Sequence, residues 1–364
     1  MKVLYIGNYK DGTGWGNACA NNILALDSVG VEVVPRAITF NNSKGGCHER
    51  ILELEDNSEI GCDICIQHTL PHLYSYNSKF KNIGFIETET SNFVESSWQH
   101  HANLMDKILV PVNSSKSACI RSGVKKPIEI VPHCLDVSKY QDYKNSNQGS
   151  KIEQLLNTFN FAFVGEFVER KNIQALARAF HAEFDYDEPV NLYVKTSNQA
   201  LDYVQNYFDQ IRRGLKIRKK YKEEIVICGQ LAKEDYVSVL SQCHSFVMPS
   251  RGEGFCIPAL EAMSLGIPVI YTKGTAMDDF CEGCGVDSYN TPCFGAMSSL
   301  DYLYTANEKW REIDVEKLMF CMRQAFMKWN TEEEKEQRKN VYSQAEKFSH
   351  KQVGMRLKEI LNDC

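Results

Sequence analysis

Residues 245–272, SFVMPSRGEGFCIPALEAMSLGIPVIYT, constrain the fold of this chain more than any other stretch. The apolar run 245–249 ends in Pro-Ser, 251–254 is a glycine-bounded turn, and 258–265 is a compact helical pattern stopped by Gly266. The order is strand, loop, helix, strand. In an open parallel α/β sheet the ligand crevice lies beyond the carboxyl ends of the strands, which places Gly252–Cys256 at a cleft. Pro258 in the first helical turn leaves neighbouring backbone N–H groups free, and together with the helix dipole they make an anion site suited to a phosphate. Glu253 and Glu261 flank that site. Carboxylates repel a phosphate, so they serve better as acceptors for sugar hydroxyls, and the pattern predicts a sugar beside a phosphate.

The same alternation runs along the whole chain. β-rich runs at 2–6, 31–37, 63–67, 82–86, 107–112 and 128–131 alternate with helical or turn-rich segments, and a second series follows at 160–164, 190–196 and 224–228. This is α/β with a parallel sheet in each half. The polar, aperiodic stretch 142–151 is expected to be the linker, and 364 residues suit two domains. The expected first domain is 1–141, with about 349–364 packing back on it, and the second is 152–348. The loop Asp11–Gly16 follows a strand and opens a helical pattern, but it is not G-x-G-x-x-G. It reads either as a tight βα turn or as a loop whose backbone approaches a ligand. His68 and the stretch Glu87-Thr88-Glu89-Thr90 fall just past strand ends, at the cleft face. Trp98, His100 and His101 read as helix residues engaged in packing or surface. Residues 39–60 fit no pattern, and from 314 onward the chain is helical.

Glu253-x7-Glu261, inside GEGFCIPALEAMSLGIPVI, resembles the retaining glycosyltransferases of the GT-B fold, family 4. The resemblance implies two Rossmann-like domains with a cleft between them and a last helix crossing back to the first domain. It implies that Glu253, with the backbone of Gly254, Phe255, Cys256 and Ile257, holds the donor sugar, and that Glu261 holds the ribose. In GEFVERKN it implies that Lys171 clasps the diphosphate of a UDP- or GDP-type donor. The second cation expected directly after Gly165 is replaced by Glu166, so either Arg170 substitutes or the second cation is missing. Glu253, Lys171 and Arg170 are the expected catalytic group. Gly229, Gln230 and Leu231 stand where the family seats the nucleobase. Gly14, Trp15 and Gly16, with His68, Glu89 and Thr90, would face the acceptor, and His133 the domain junction. No Asp-x-Asp stands at a strand end, so metal independence is expected, with no cofactor beyond the donor.

A net charge of −6 argues against a surface wholly devoted to nucleic acid or anionic lipid. Residues 212–222, RRGLKIRKKYK, are strongly basic. They are either a solvated face or a landing strip for a polyanionic acceptor, such as a nucleic-acid backbone or lipid headgroups. A glycan or lipid-linked acceptor is favoured over a modified DNA base. No apolar run reaches membrane-spanning length and MKVLYIG lacks a signal-peptide pattern, so a cytoplasmic protein, at most peripheral to a membrane, is expected. Most of the 14 cysteines are then expected to be free. Two rivals make distinct predictions. A nucleotide-sugar isomerase or epimerase would turn over donor without acceptor, and an inert nucleotide-sugar-binding protein would leave donor unchanged.

Overall fold

The computed structural model describes residues 1–40, 46–146, 152–294 and 303–363. The chain forms two compact units, one of Met1–Val137, Ser299–Lys309 and Glu346–Cys364, the other of Ser138–Ser298 and Trp310–Ala345.

In the first unit, β1 (Lys2–Gly7), β2 (Glu32–Ala37), β3 (Ile64–His68), β4 (Lys81–Phe85), β5 (Lys107–Val110) and β6 (Ile128–Ile130) form one sheet in the order β2-β1-β3-β4-β5-β6. Every pairing is parallel. Helices cover both faces of such a sheet, which is why β3 is buried along its whole length. The core beneath β1 and β3 is built from Val3, Ile23, Leu26, Val33, Ile66 and Phe85, closed by Val353, Leu357 and Ile360 from the helix His350–Asn362. That last helix therefore belongs to the first unit, as the resemblance implied. It lies so close to the helix Gly14–Ser28 that a Cβ on Gly354 would come within 2.1 Å of the Ala25 carbonyl oxygen.

In the second unit, β7 (Phe159–Val164), β8 (Val190–Thr196), β9 (Ile225–Cys228), β10 (Ser245–Met248), β11 (Val269–Thr272) and β12 (Gly283–Val286) form a second all-parallel sheet, ordered β12-β11-β10-β7-β8-β9. β13 (Ser288–Pro292) and β14 (Lys309–Ile313) make a small two-stranded sheet. Chain order runs outward from β7 to β9 and then restarts at β10 on the other side of β7. The strand order thus reverses between β7 and β10, the place where ligands bind in sheets of this kind.

Three expectations need correcting. Residues 142–145 of the expected linker continue the helix Val137–Asn145, because Tyr140 and its neighbours pack and bond within the second unit; residues 147–151 lie outside the described residues. The unexplained stretch 39–60 contains the helix Glu49–Glu55, which buries Ile51 and Leu54, while 41–45 lie outside the described residues. β12 escaped notice because two of its four residues are glycines. At Gly283 (φ 150°) a Cβ would strike the Val269 carbonyl oxygen at 2.1 Å, so the strand admits no other side chain there.

The basic run turns inward more than its composition suggests. Arg212 pairs with Glu224, Arg213 with Asp209 at 2.6 Å, and Lys219 donates to the Phe184 carbonyl at 2.8 Å. The Lys220 ammonium sits 3.5 Å from the Tyr186 ring centre, and Lys222 donates to the Glu188 and Val190 carbonyls at 2.6 and 3.1 Å. Most of this charge fastens the segment to its own unit. Of the described cysteines, 11 are free, and Cys284 is joined to Cys321. No helix among the described residues is long and apolar enough to cross a membrane.

Candidate active site

β7 and β10 are neighbours, so the loops leaving their carboxyl ends adjoin. After β7, Gly165 carries the chain past the Lys171 arm. A Cβ at 165 would lie 3.3 Å from the Phe163 ring and 3.7 Å from Lys171 Cδ. The turn Glu169–Lys171 follows, and Asn172 takes a left-handed conformation (φ 51°) before the helix Ile173–Glu183 begins. This reversal throws Lys171 back over the sheet edge instead of along the helix, where a cation would oppose the helix dipole.

There it meets Glu253. Lys171 Nζ donates to Glu253 Oε1 and Oε2 at 2.8 and 2.9 Å, and an Arg170 guanidinium nitrogen lies 3.3 Å from Oε2 while donating to the Gly252 carbonyl at 2.7 Å. Lys171 is 8% exposed and Glu253 6%. Burial pushes the Glu253 carboxyl upward, but the charges of Lys171 and Arg170 more than reverse this and hold it below the usual carboxylate range. Glu166 is exposed, and the second cation comes from Arg170. A further layer locks the two loops to each other. Arg251 donates to Glu312 Oε2 and Glu169 Oε1, both at 2.6 Å, Asn172 donates to Glu312 Oε1 at 2.9 Å, and the Arg251 N–H reaches the Arg170 carbonyl at 2.7 Å.

The helix Ile257–Ser264 starts at the end of the same loop. Cys256 adopts φ 90° as its cap residue, no side chain caps the helix, and its first turn carries no acidic residue. Its N-terminal N–H groups thus meet no competing carboxylate in that turn. The Phe255 ring stacks on Phe280 at 4.2 Å. Glu261 lies on the next turn. Its Oε1 accepts from Tyr140 Oη and Lys233 Nζ, each at 2.6 Å, and its Oε2 from Tyr236 Oη at 2.7 Å. Burial raises its carboxyl, but Lys233 and the two hydroxyls hold it below the usual range. Of the roughly four lone-pair positions of a carboxylate, three are used, which leaves room for one more donor such as a hydroxyl. Gly229 (φ 90°) turns the chain after the edge strand β9, with Gln230 exposed and Leu231 half-buried.

In the first unit the expected acceptor-facing residues behave differently from one another. Gly14 is exposed at the start of its helix, Thr13 caps Gly16 N at 3.1 Å, and Trp15 meets the Phe40 ring edge-on. Gly16 is a packing glycine, since a Cβ there would lie 2.0 Å from the Asp11 carbonyl oxygen. Thr90 is buried and bonds the Asn92 carbonyl at 2.8 Å, while Glu89 accepts from Tyr304. His68 is 3% exposed, with Nδ1 2.8 Å from Tyr5 Oη and Nε2 2.9 Å from Glu87 Oε1, so the expected open strand-end group is an interior one. Trp98 is fully buried, in keeping with a packing role.

Sequence reasoning named Lys171, Arg170, Glu253 and Glu261 but missed Tyr140, Lys233 and Tyr236 around Glu261, and Glu312 behind Arg251. Lys233 opens the helix after β9 and carried a faint signal. Tyr140 carried none, because it lies in the stretch just before the expected linker.

Residues 158–292 match the family model described as Glycosyl transferases group 1. Among curated proteins, a 116-residue segment is 29% identical to the serotype-specific mannosyltransferase WbdA of Escherichia coli, covering 30% of this chain and 13% of the relative. The E. coli UDP-Gal:alpha-D-GlcNAc-diphosphoundecaprenol alpha-1,3-galactosyltransferase is 23% identical over 218 residues, 57% of this chain and 51% of the relative. The chain therefore spans about half the length of these relatives, or less. Among solved structures, Anabaena HepE in complex with UDP and glucose superposes with a TM-score of 0.65 at 14% identity, covering 100% of both chains. The sucrose-phosphate synthase of Thermosynechococcus elongatus gives 0.67 at 13% identity, over 100% of this chain and 98% of that one. Residues 158–292, inside the second unit, are thus similar to glycosyl transferases group 1, and the fold is GT-B, as the resemblance implied.

Proposed function

We propose that this chain is a glycosyltransferase that moves a sugar from a nucleotide-diphosphate donor to an acceptor hydroxyl with retention of anomeric configuration. The observation that carries the reading is the convergence of Lys171, Arg170, Glu253 and the uncapped start of the helix Ile257–Ser264 where the strand order reverses. Breaking the sugar–phosphate bond develops negative charge on the departing diphosphate. Lys171, Arg170 and the helix N–H groups stabilise that charge, each preorganised donor contributing about 3 kcal/mol by analogy with oxyanion holes. Glu253, ionised and fixed by its two cations, orients the donor sugar through its hydroxyls. Glu261, with one lone pair still open, takes a ribose hydroxyl. In this reading Lys171 and Arg170, both beside Glu253, supply the positive charge at the diphosphate.

A glycan or lipid-linked sugar is the favoured acceptor. The likeness to the Escherichia coli galactosyltransferase named for alpha-D-GlcNAc-diphosphoundecaprenol supports it, and the inward engagement of residues 212–222 weighs against a nucleic-acid track there. A cytoplasmic setting fits the 11 free cysteines among the described residues. The test is thermal stabilisation by a panel of UDP- and GDP-sugars, because a ligand bound only to the folded state raises stability by mass action. One donor class is expected to stabilise the wild type, and Lys171→Ala and Glu261→Ala are each expected to lose that shift. An unaltered shift in both variants overturns the site. Retention is checked by the anomeric signal of the product in NMR, where inversion overturns it.

A further inference from the structure

A second cluster of chemistry-bearing side chains sits in the first unit, outside the proposed donor site. His68 ends β3, Glu87 lies two residues beyond β4, and His133 three residues beyond β6. These strand ends share the carboxyl edge of the sheet, close to the point between β1 and β3 where its strand order reverses. Both imidazoles address the same carboxylate oxygen. Glu87 Oε1 is 2.9 Å from His68 Nε2 and 3.0 Å from His133 Nε2, and the candidate ligand atoms of the three residues all lie within 4.8 Å of one another. The side chains are 4%, 8% and 1% exposed for His68, Glu87 and His133.

We infer that His68 Nε2, His133 Nε2 and Glu87 Oε1 form a binding site for a first-row divalent transition-metal ion such as Zn2+ or Fe2+. Two imidazoles and one carboxylate are the donor set used by catalytic zinc and by non-haem iron sites, and three protein ligands leave coordination positions open. The spacing suits this. With bonds of about 2.1 Å, neighbouring ligands stand about 3.0 Å apart in an octahedral set and about 3.4 Å apart in a tetrahedral one. The two edges from Glu87 Oε1 to the imidazoles, 2.9 and 3.0 Å, match the octahedral value.

The surroundings are those of a metal's outer shell. An imidazole that binds a metal through Nε2 carries its proton on Nδ1 and donates it to a partner that fixes the ring. For His68 that partner is the Tyr5 hydroxyl at 2.8 Å. The rings are further held by stacking, His68 on Phe85 at 4.2 Å and Phe85 on His133 at 5.4 Å, with the two imidazoles only 18° from parallel. Sequence reasoning expected no metal because no Asp-x-Asp stands at a strand end. The three ligands here come from separate strand ends and share no local motif. The inference stands independently of the proposed transfer reaction.

The test uses Co2+ as the probe, added to chelator-stripped full-length protein. A site of this kind binds a single ion per chain, gives visible d–d absorption without a thiolate-to-cobalt charge-transfer band, and raises the thermal midpoint. His133→Gln and His68→Gln are expected to abolish the spectrum, with circular dichroism showing which variants fold. Tyr5→Phe removes only the outer-shell partner and is expected to weaken Co2+ binding about 10–100-fold while leaving three ligands in place. Folded wild type without d–d bands overturns the inference. So does a thiolate charge-transfer band, which would assign the ion to the free cysteines, or a spectrum unchanged in His133→Gln. If His68→Gln and His133→Gln both fail to fold, the wild-type spectrum and the Tyr5→Phe affinity still decide.

Discussion

Lys171 and Glu253, 82 residues apart in sequence, meet in a two-pronged ion pair of 2.8 and 2.9 Å, and both residues are buried. Breaking such a pair from one side leaves an unpaired interior charge, which typically costs about 3–5 kcal/mol. Arg170 remains beside Glu253, so Lys171→Ala is expected at the lower end, about 3 kcal/mol by urea unfolding. Adding Glu253→Gln removes the stranded charge and is expected to restore much of the stability. It is not expected to restore stabilisation by a nucleotide sugar. Recovery of both together would show that the pair serves the fold alone.

His244 stacks on Phe159 at 5.1 Å, and its Nδ1 accepts the Asn160 N–H. Burial, with a smaller contribution from the Arg338 charge, pushes its pKa down from 6.5 to about 4. Between those values the unfolded chain takes up a proton that the folded protein refuses, so stability is flat above about pH 6.5 and falls as pH drops toward 4. At about 1.4 kcal/mol per pH unit, the full effect is about 3 kcal/mol. Glu253 and Glu261 act in the same direction at lower pH. Their lowered carboxyls give stability that is present above the ordinary value of about 4.3 and is lost as pH falls through the folded values. Urea midpoints measured from about pH 7 to about pH 4.5 should fall for the wild type, and His244→Phe should flatten that slope.

Gly354 allows two helix backbones to touch, with the Ala25 carbonyl oxygen 2.1 Å from where a Cβ would stand. Backbone atoms there cannot swing aside as a flexible side chain can. Gly354→Ala is expected to cost about 1–3 kcal/mol, as overpacking does. The loss should appear as protease sensitivity near the helix His350–Asn362, and an unchanged thermal midpoint would contradict it.

Lys219 donates to the Phe184 carbonyl at 2.8 Å and lies 3.2 Å from Asp185. Lys219→Glu places a carboxylate against those acceptors and is expected to destabilise by about 1–3 kcal/mol. The wild type is expected to show no salt-dependent retention on duplex DNA. Retention that falls steeply with added salt and vanishes in Lys219→Glu would reinstate a nucleic-acid acceptor.

Much of this architecture was legible because parallel strands buried on both faces read as apolar runs, and nearly every run from 2–6 to 224–228 became a strand within a residue or two. The loop residues of the site were legible for a related reason. Gly165, Lys171 and Glu253 stand at fixed offsets from strand ends, and strand ends are what periodicity locates best. Partners from elsewhere in the chain were not legible. Tyr140, Lys233 and Tyr236 reach Glu261 from two other helices, and only the packing of those helices decides that they meet. β12–β14 were missed because glycines, serines and charged residues there form strands through neighbouring backbone, with little apolar alternation of their own. His68 was legible as a strand-end residue but not as an interior one, because its burial depends on Tyr5, Glu87 and Phe85 from adjacent strands.

The core of the first unit is finished by Val353, Leu357 and Ile360, which lie beyond the whole of the second unit in the chain. During synthesis the residues of the second sheet emerge before that closing helix does, so the second unit can complete its own folding while the first still exposes the flank of the helix Gly14–Ser28. The usual amino-to-carboxyl order of maturation is thereby inverted. A ribosome stalled before residue 350 should hold a nascent chain whose middle resists protease and whose beginning does not.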